Sequence, residues 1–462
     1  MLTIIRKELL EKLVDARFFI LLLLFVIVSL IITFVRLEKH NAQSEQYHLN
    51  VDLHSKQIGA PVEGGDKFDN LSAGGITVDL PPSEISLLFA GIYDGIAKTY
   101  WLTESQDPIS DTSLLSTQER FFSPAFDFGL AIAYLISLTA IFLCYDGING
   151  EKERGVLKLI LSNRISKAVV IGGKFIGNLI IISIPLTLSF ILALVIVNLY
   201  GKTSFSKGDW LVLAVIYISG VIFIAVFIAL SLLVSLLVNK PYLSLLVLLI
   251  LWVIFGFVAP SLSPYLAQSV RPLPTTREME AQKHYVMTRW MSFPRRVKEL
   301  TGQGYSEEEA KKRVREYYRL GMYEEIIENF QKINKAYKLK VEAQTGLAQN
   351  ISHISPVSLF LYISSNLSES GIEMKEHFEQ SLEEYYQRYS SYLMKKRRER
   401  LEDARNGRRP NDDISDRPVF NYAPLSLKER LKKNLYDIFY LISFGLVLFI
   451  SSYVSFVRYD VR

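Results

Sequence analysis

Six stretches of the chain run for 18 residues or more without an Asp, Glu, Lys, Arg or His: 18–35, 128–145, 175–201, 210–239, 241–270 and 438–457. A helix rises about 1.5 Å per residue, so about 20 apolar residues cross the roughly 30 Å hydrocarbon layer of a bilayer. No water is available there, and a helix satisfies its backbone polar groups internally. An all-α membrane protein with six transmembrane helices is therefore expected. Composition agrees: mean hydropathy is +0.20 although 21% of the 462 residues are charged, so the apolar residues must be concentrated. A soluble globular enzyme, a secreted disulfide scaffold and a disordered chain are excluded. The one cysteine, Cys144, rules out an intrachain disulfide.

The first run reads as a retained anchor. It is long for a signal-peptide core, and no small-x-small cleavage site follows it. Residues 1–17 carry Arg6, Lys7, Lys12 and Arg17, while Leu2, Ile5, Leu9 and Leu13 recur at helical spacing. Lys7–Glu11 and Glu8–Lys12 are i,i+4 pairs. The segment is expected to form an interfacial (elbow) helix whose Ile5, Leu9 and Leu13 face the membrane.

Lysine and arginine bias sets orientation. With the N-terminus inside, the inner segments 1–17, 146–174, 240 and 458–462 hold 13 Lys/Arg, against two in the short outer loop 202–209. The expected order is the elbow helix 1–17, a first span 18–36, an extracytoplasmic segment 37–126, a second span 127–146 and a cytoplasmic loop 147–173. Spans at 174–201, 209–238 and 242–262 follow, then an extracytoplasmic helical domain 263–434, a sixth span 435–457 and a cytoplasmic tail 458–462. The two outer segments differ in charge, −8 for 37–126 and +7 for 263–434.

Within the first outer segment, Tyr47–Leu53 alternates weakly like a strand, Gly59–Gly75 is rich in turn residues, and Ser86–Ile96 is helix-like after Pro81-Pro82. In the second, Phe378, Leu382, Tyr385, Tyr389 and Tyr392 recur at helical spacing and read as a packing face. The run Lys395–Arg400 reads as a solvated helix face, with binding of anionic lipid headgroups or a polyanion as the alternative. Val357–Ile363 is apolar but too short to span.

Catalytic motifs are missing from the sequence. Gly172-Gly173-Lys174-Phe175 is the nearest approach to a phosphate-binding loop. Ala168 stands at its leading glycine position and Phe175 at its magnesium-binding hydroxyl position. HExxH, GxSxG and CxxC do not occur. The interiors of the six runs hold no Asp, Glu, Lys, Arg or His, which argues against a proton-coupled carrier or a cation channel. Energy is then delivered from elsewhere, or the role is structural.

The most informative stretch is Asp127–Pro185. A span ends in Tyr145-Asp146-Gly147, and Gly150-Glu151-Lys152-Glu153-Arg154-Gly155-Val156-Leu157-Lys158-Leu159-Ile160-Leu161-Ser162 follows. Gly172, Lys174 and Gly177 open the next span. This resembles the type-2 ABC transporter permease family, in the subgroup with large extracytoplasmic domains. Val156 replaces the usual threonine, and Asn163-Arg164 stands where a small residue and proline are commoner.

The resemblance implies a permease subunit of an ATP-driven exporter in a bacterial or archaeal inner membrane. ATP and magnesium would be held by a separate cytoplasmic ATPase subunit, so the chain itself carries no cofactor and is not an enzyme. The loop 147–166 would be the coupling helix. Glu151, Lys152, Glu153 and Arg154 would offer ionic contacts, Leu157, Ile160 and Leu161 an apolar face, and Gly155 a bend. Two permease subunits would form one pathway, as a homodimer or with a homologue. Partners are then the ATPase, the second permease, lipid and, as a further candidate, an extracytoplasmic protein; nucleic acid is not expected. The alternative is a mechanotransmitter in which the same motion drives an extracytoplasmic partner and nothing is transported.

Overall fold

The computed structural model describes residues 1–57, 66–103, 109–110, 126–162, 166–202, 205–320 and 322–458. It is almost wholly helical, and six helices are long and apolar enough to cross a membrane. Helix α1 (Leu2–Val14) is followed at once by α2 (Ala16–Gln57). Helix α2 is 42 residues, about 60 Å, so it contains the first apolar run and then continues far beyond it. Tyr47–Leu53, expected as a strand, lies inside this helix. No glycine or proline interrupts the chain before Gly59, and i,i+4 contacts from Gln46 to Asn50 and from Lys56 to Asp52 carry the helix onward.

Helix α3 (Lys67–Gly74), capped by Asp66, occupies the described part of the segment read as turn-rich. A small antiparallel sheet follows, β1 (Ile76–Asp79), β2 (Thr99–Leu102) and β3 (Ile109–Ser110), with Ile76 opposite Leu102 and Tyr100 opposite Ser110. Between β1 and β2, the expected helix at 86–96 is instead two short 3₁₀ turns, Glu84–Leu87 and Tyr93–Gly95. The break falls at Gly91, whose φ of +50° ends a helix. A Cβ on Gly91 would sit 2.7 Å from both Ser365 Cβ and the Ser370 carbonyl, so the chain there lies directly against the second large segment.

The second span is α4 (Phe128–Ala131, a π turn Ile132–Ile136, then Ser137–Cys144). Two short helices, α5 (Asn149–Glu153) and α6 (Val156–Ser162), lead to α7 (Lys167–Tyr200), α8 (Lys207–Leu237) and α9 (Pro241–Val270). Helix α9 has its own π turn, Ile254–Val258. The two π turns face each other: the Tyr134 hydroxyl donates to the Gly256 carbonyl at 3.1 Å, and the Tyr134 and Phe257 rings stack at 5.0 Å. A π turn frees backbone carbonyls, and the Tyr134 hydroxyl satisfies that of Gly256.

The last large segment contains α10 (Thr276–Met291), α11 (Phe293–Gly302), α12 (Glu307–Leu320), α13 (Met322–Ser352), α14 (Pro356–Leu367) and α15 (Ile372–Arg405). Helix α16 (Leu427–Arg458) ends the described chain. The apolar piece around Val357–Ile363 forms α14, which is buried among the spans, with Phe360 stacked on Phe223 of α8 at 5.0 Å. A second core lies outside the spans. There Phe378, Leu382, Tyr385 and Tyr389 of α15 pack on Phe68, Leu71, Val78 and Leu102, so the aromatic stripe is a packing face. Two of the five basic residues in the run 395–400 are also turned inward: Lys396 pairs with Asp416 at 3.1 Å, and Arg400 pairs with Asp66 and with Asp412.

Besides this second core, the two large segments meet at a hub just beyond the first apolar run. Arg36 of α2 is buried and pairs with Asp94, which also accepts from Lys39 at 2.9 Å and Gln43 at 3.0 Å. Ser368 and Ser370 both donate to the Phe89 carbonyl, at 3.0 and 2.6 Å.

Candidate functional site

The side of the bundle opposite this hub carries α1, the α4–α7 connection and the end of α16. The connection is seated on α8, where the Ser235 hydroxyl accepts from the backbone N–H of both Ile148 and Asn149 at 3.1 Å. Helix α5 ends at Gly155, which has φ +73° and open space around it. A glycine in the left-handed region ends a helix at no steric cost, and here it lets α6 leave in a new direction. The Arg154 guanidinium closes the turn on the Gly150 carbonyl at 3.1 Å.

The residues singled out in this loop divide into two sets. Glu153 and Arg154 are exposed. Lys152 is half-buried and donates to Asn239 at 2.7 Å, and Ile160 is half-buried against the membrane core. Glu151 and Leu157, expected on the outer face, are turned inward, with only 3% and 2% of their surface exposed. The side chain of Leu161 lies outside the described residues. Lys158 and Leu159, not among the expected contact residues, are exposed, Leu159 at 68%. The outward face is therefore Glu153, Arg154, Lys158 and Leu159.

Glu151 is turned inward by a buried lysine. Lys174, near the start of α7, is 3% exposed; its Nζ donates to Glu8 at 2.7 Å and lies 2.9 Å from Glu151. Lys7 reaches the same oxygen of Glu151 at 2.6 Å from the exposed edge. Two ammonium groups thus face two carboxylates, and the cluster is neutral as a unit. That is the condition under which buried charge is tolerated. The third apolar run begins just past this lysine, at Phe175, so no charged residue falls within it. Yet Lys174 lies a full two turns inside the helix that contains that run.

Small residues allow the close approach. Gly173 and Gly177 form a GxxxG pair on α7 and face α1. A Cβ on Gly173 would lie 2.9 Å from Ile4 Cγ2, and one on Gly177 2.8 Å from Glu8 Cβ. Ile4, Glu8 and Lys12 therefore form the inward face of α1. Of the residues assigned to the membrane, Ile5 and Leu9 are half-buried, while Leu13 and Leu2 are exposed. The charged inward face was not anticipated; the GxxxG spacing beside a lysine was the available signal. Lys12 donates to the Leu143 carbonyl, and both Lys12 and Arg17 lie 3.6 Å from Asp146, which fixes α1 to the end of α4.

Glu8, Glu11 and Glu151 approach one another closely enough to hold an ion. The pairing of Glu8 and Glu151 with Lys174 and Lys7 fills that space with ammonium groups.

Fold and site together define a multi-pass helical membrane protein whose buried charges form structural ion pairs on one face. The model of the ABC-2 family transporter protein matches residues 2–461, and the chain belongs to that family. It is thus an ABC transporter membrane subunit. It is 34% identical over 107 residues to the probable ABC transporter permease protein NosY of Stutzerimonas stutzeri, and 32% identical over 106 residues to that of Pseudomonas aeruginosa. Each match covers 23% of this chain and 35% of the relative, so the chain spans about a third of the length of these relatives.

Proposed function

We propose that this chain is the permease subunit of an ATP-driven exporter and that its 147–166 loop docks on a separate cytoplasmic ATPase. The observation that carries the reading is the outward face of Glu153, Arg154, Lys158 and Leu159, presented on a loop whose other side is held by Ser235 and Lys174. A docking face needs a rigid base and an apolar residue with charged neighbours, and this loop has both. The excess of Lys/Arg on the segments of this side supports reading it as the cytoplasmic one. ATP and magnesium act on the partner, and this chain supplies no catalytic group. A second permease subunit completes the pathway. The membrane is the inner membrane of a bacterium or archaeon.

Affinity purification of the tagged chain in mild detergent tests the reading. A soluble ATPase is expected to come with the wild-type chain and to be lost when Leu159→Asp is combined with Glu153→Lys. Undiminished recovery and unchanged ATP turnover in that double variant would refute docking through this face. The alternative, a mechanotransmitter, is supported by α2, which continues unbroken from the membrane into the large domain. ATP turnover stimulated by an amphipathic substrate favours export; turnover that responds only to an extracytoplasmic protein favours the transmitter.

A further inference from the structure

Lys174 lies in the Gly172-Gly173-Lys174 stretch, which departs from the phosphate-loop pattern at Ala168 and Phe175, and it stands behind the docking face rather than in it. Its position is unusual. Three pieces of chain far apart in sequence converge on its one ammonium group: Glu8 from α1, Glu151 from the docking loop, and α7 itself. All three side chains are buried, with exposures of 5% or less. Around them the backbone contacts are equally tight, because Gly173 and Gly177 leave no room between α1 and α7. Lys7 then ties α1 to the same carboxylate from the rim, and Arg154 of the loop lies 3.8 Å from Glu11 of α1.

We propose that Lys174 is a positioning residue that joins the docking loop, α1 and the first part of α7 into one rigid arm. The inference rests on the docking reading for its use, though the arm itself does not depend on it. Apolar contacts between helices allow sliding, because one methyl group substitutes for another. A lysine held by two carboxylates at hydrogen-bonding distance does not, because any shift of about 1 Å leaves buried charge unpaired. Force applied at Leu159 therefore reaches span 3 through Glu151 and Lys174. The arm ends at Pro185, eleven residues or about 16 Å along α7, where a backbone hydrogen bond is missing and the helix can bend.

The test compares hydrogen exchange in the full chain, held in nanodiscs of phosphatidylethanolamine and phosphatidylglycerol, for wild type, Lys174→Arg, Lys174→Met and Glu151→Gln. Lys174→Met and Glu151→Gln are expected to speed exchange of residues 149–160 about tenfold, with α8 and α16 unchanged as a control for folding; Lys174→Arg is expected to restore protection. Glu151→Gln keeps the Lys174–Glu8 pair, so it carries the test if Lys174→Met fails to fold. Unchanged exchange of 149–160 in Glu151→Gln would overturn the proposal.

A second measurement adds the co-purified ATPase. ATP is expected to alter exchange in 167–184 of wild type but not of Glu151→Gln, although the partner remains bound. An ATP response that persists in Glu151→Gln overturns the arm and leaves docking intact. If the wild-type chain retains no ATPase while 149–160 still loosens in Glu151→Gln, docking fails and the arm stands.

Discussion

Substituting Gly177 by alanine adds one methyl group at the tightest point between α1 and α7. In a helix this change is ordinarily favourable, by up to about 1 kcal/mol. Here the new Cβ would lie 2.8 Å from Glu8 Cβ and 3.4 Å from its Cγ. Carbon atoms rest at about 3.5–4.0 Å, so α1 must move outward by roughly 1 Å. Glu8 Cβ is fixed to the helix backbone and cannot swing away. Overpacking of this kind costs about 1–3 kcal/mol, and the movement also stretches the 2.7 Å bond between Lys174 and Glu8. The clash outweighs the helix preference, for a net loss of about 1–2 kcal/mol. Local opening of Leu2–Val14 should then be roughly 5–30 times more frequent, read directly by hydrogen exchange of α1. Gly346→Ala in α13 is the control. It is helical with nothing within 4 Å of the new methyl, so it should slow exchange locally, by up to about 1 kcal/mol. If Gly177→Ala slowed exchange of α1 as Gly346→Ala slows that of α13, the close-approach argument would be wrong.

Two pH dependences in the large domain have opposite signs. Burial pushes the Asp94 carboxyl up, but Arg36, Gln43 and Lys39 outweigh it and hold the group down at about 2. Its contribution is therefore complete above the unfolded value of about 4 and is lost as pH falls from there through 2. Exchange protection of residues 84–95 should hold at pH 5 and fall towards pH 2, and Asp94→Asn should remove that fall. Burial pushes the Glu373 carboxyl up to about 7, with Lys433 opposing and Asp437 and Glu376 reinforcing. A raised acid contributes stability that is complete below about 4 and is lost as pH rises through 7. Glu373→Gln should thus protect the start of α15 at pH 8, by an amount on the order of 2 kcal/mol, with little effect at pH 4; equal effects at both pH values would refute the assignment.

Legibility in the sequence followed the length of the pattern. Each apolar run repeats one property over 18 residues or more, and each lies within a long apolar helix. The stripe from Phe378 to Tyr389 spans three turns, and it is the face that packs. Helix α5 has only five residues, too few for any periodicity to fix a face. Glu151 and Glu153 sit two positions apart, about 200° around the helix, and look alike in sequence. One is buried and one is exposed, and Lys174, 23 positions away, decides which. Lys174 itself was hidden by the rule that located the spans. Counting charges treats every lysine as an end of hydrocarbon, whereas this one is neutralised by carboxylates that the fold brings to it. Tyr47–Leu53 failed differently: a weak alternation over seven residues was outweighed by a helix that nothing upstream had stopped.

The same distinction between charge and apolar contact separates the two ends of the spans. Helix α2 is held by ions at both ends of its apolar run, through Arg17 to Asp146 and through Arg36 to Asp94. Helix α7 is held by buried ions at Lys174, and farther along by apolar and hydroxyl contacts such as Thr187 with Tyr217 at 2.7 Å and Phe190 with Phe128. Ion pairs in a dry setting fix a single register, while ring and methyl contacts exchange neighbours at small cost. If the 147–166 loop docks as proposed, a displacement entering through it meets a stiff joint first and a compliant one beyond Pro185, with α2 as the reference beside it. That ordering makes α7, rather than α2, the span whose far half would move against the hub formed by Asp94, Phe89 and Ser370. Distance measurements between labels at Leu199 and Leu49, both exposed, would read such a movement on nucleotide addition.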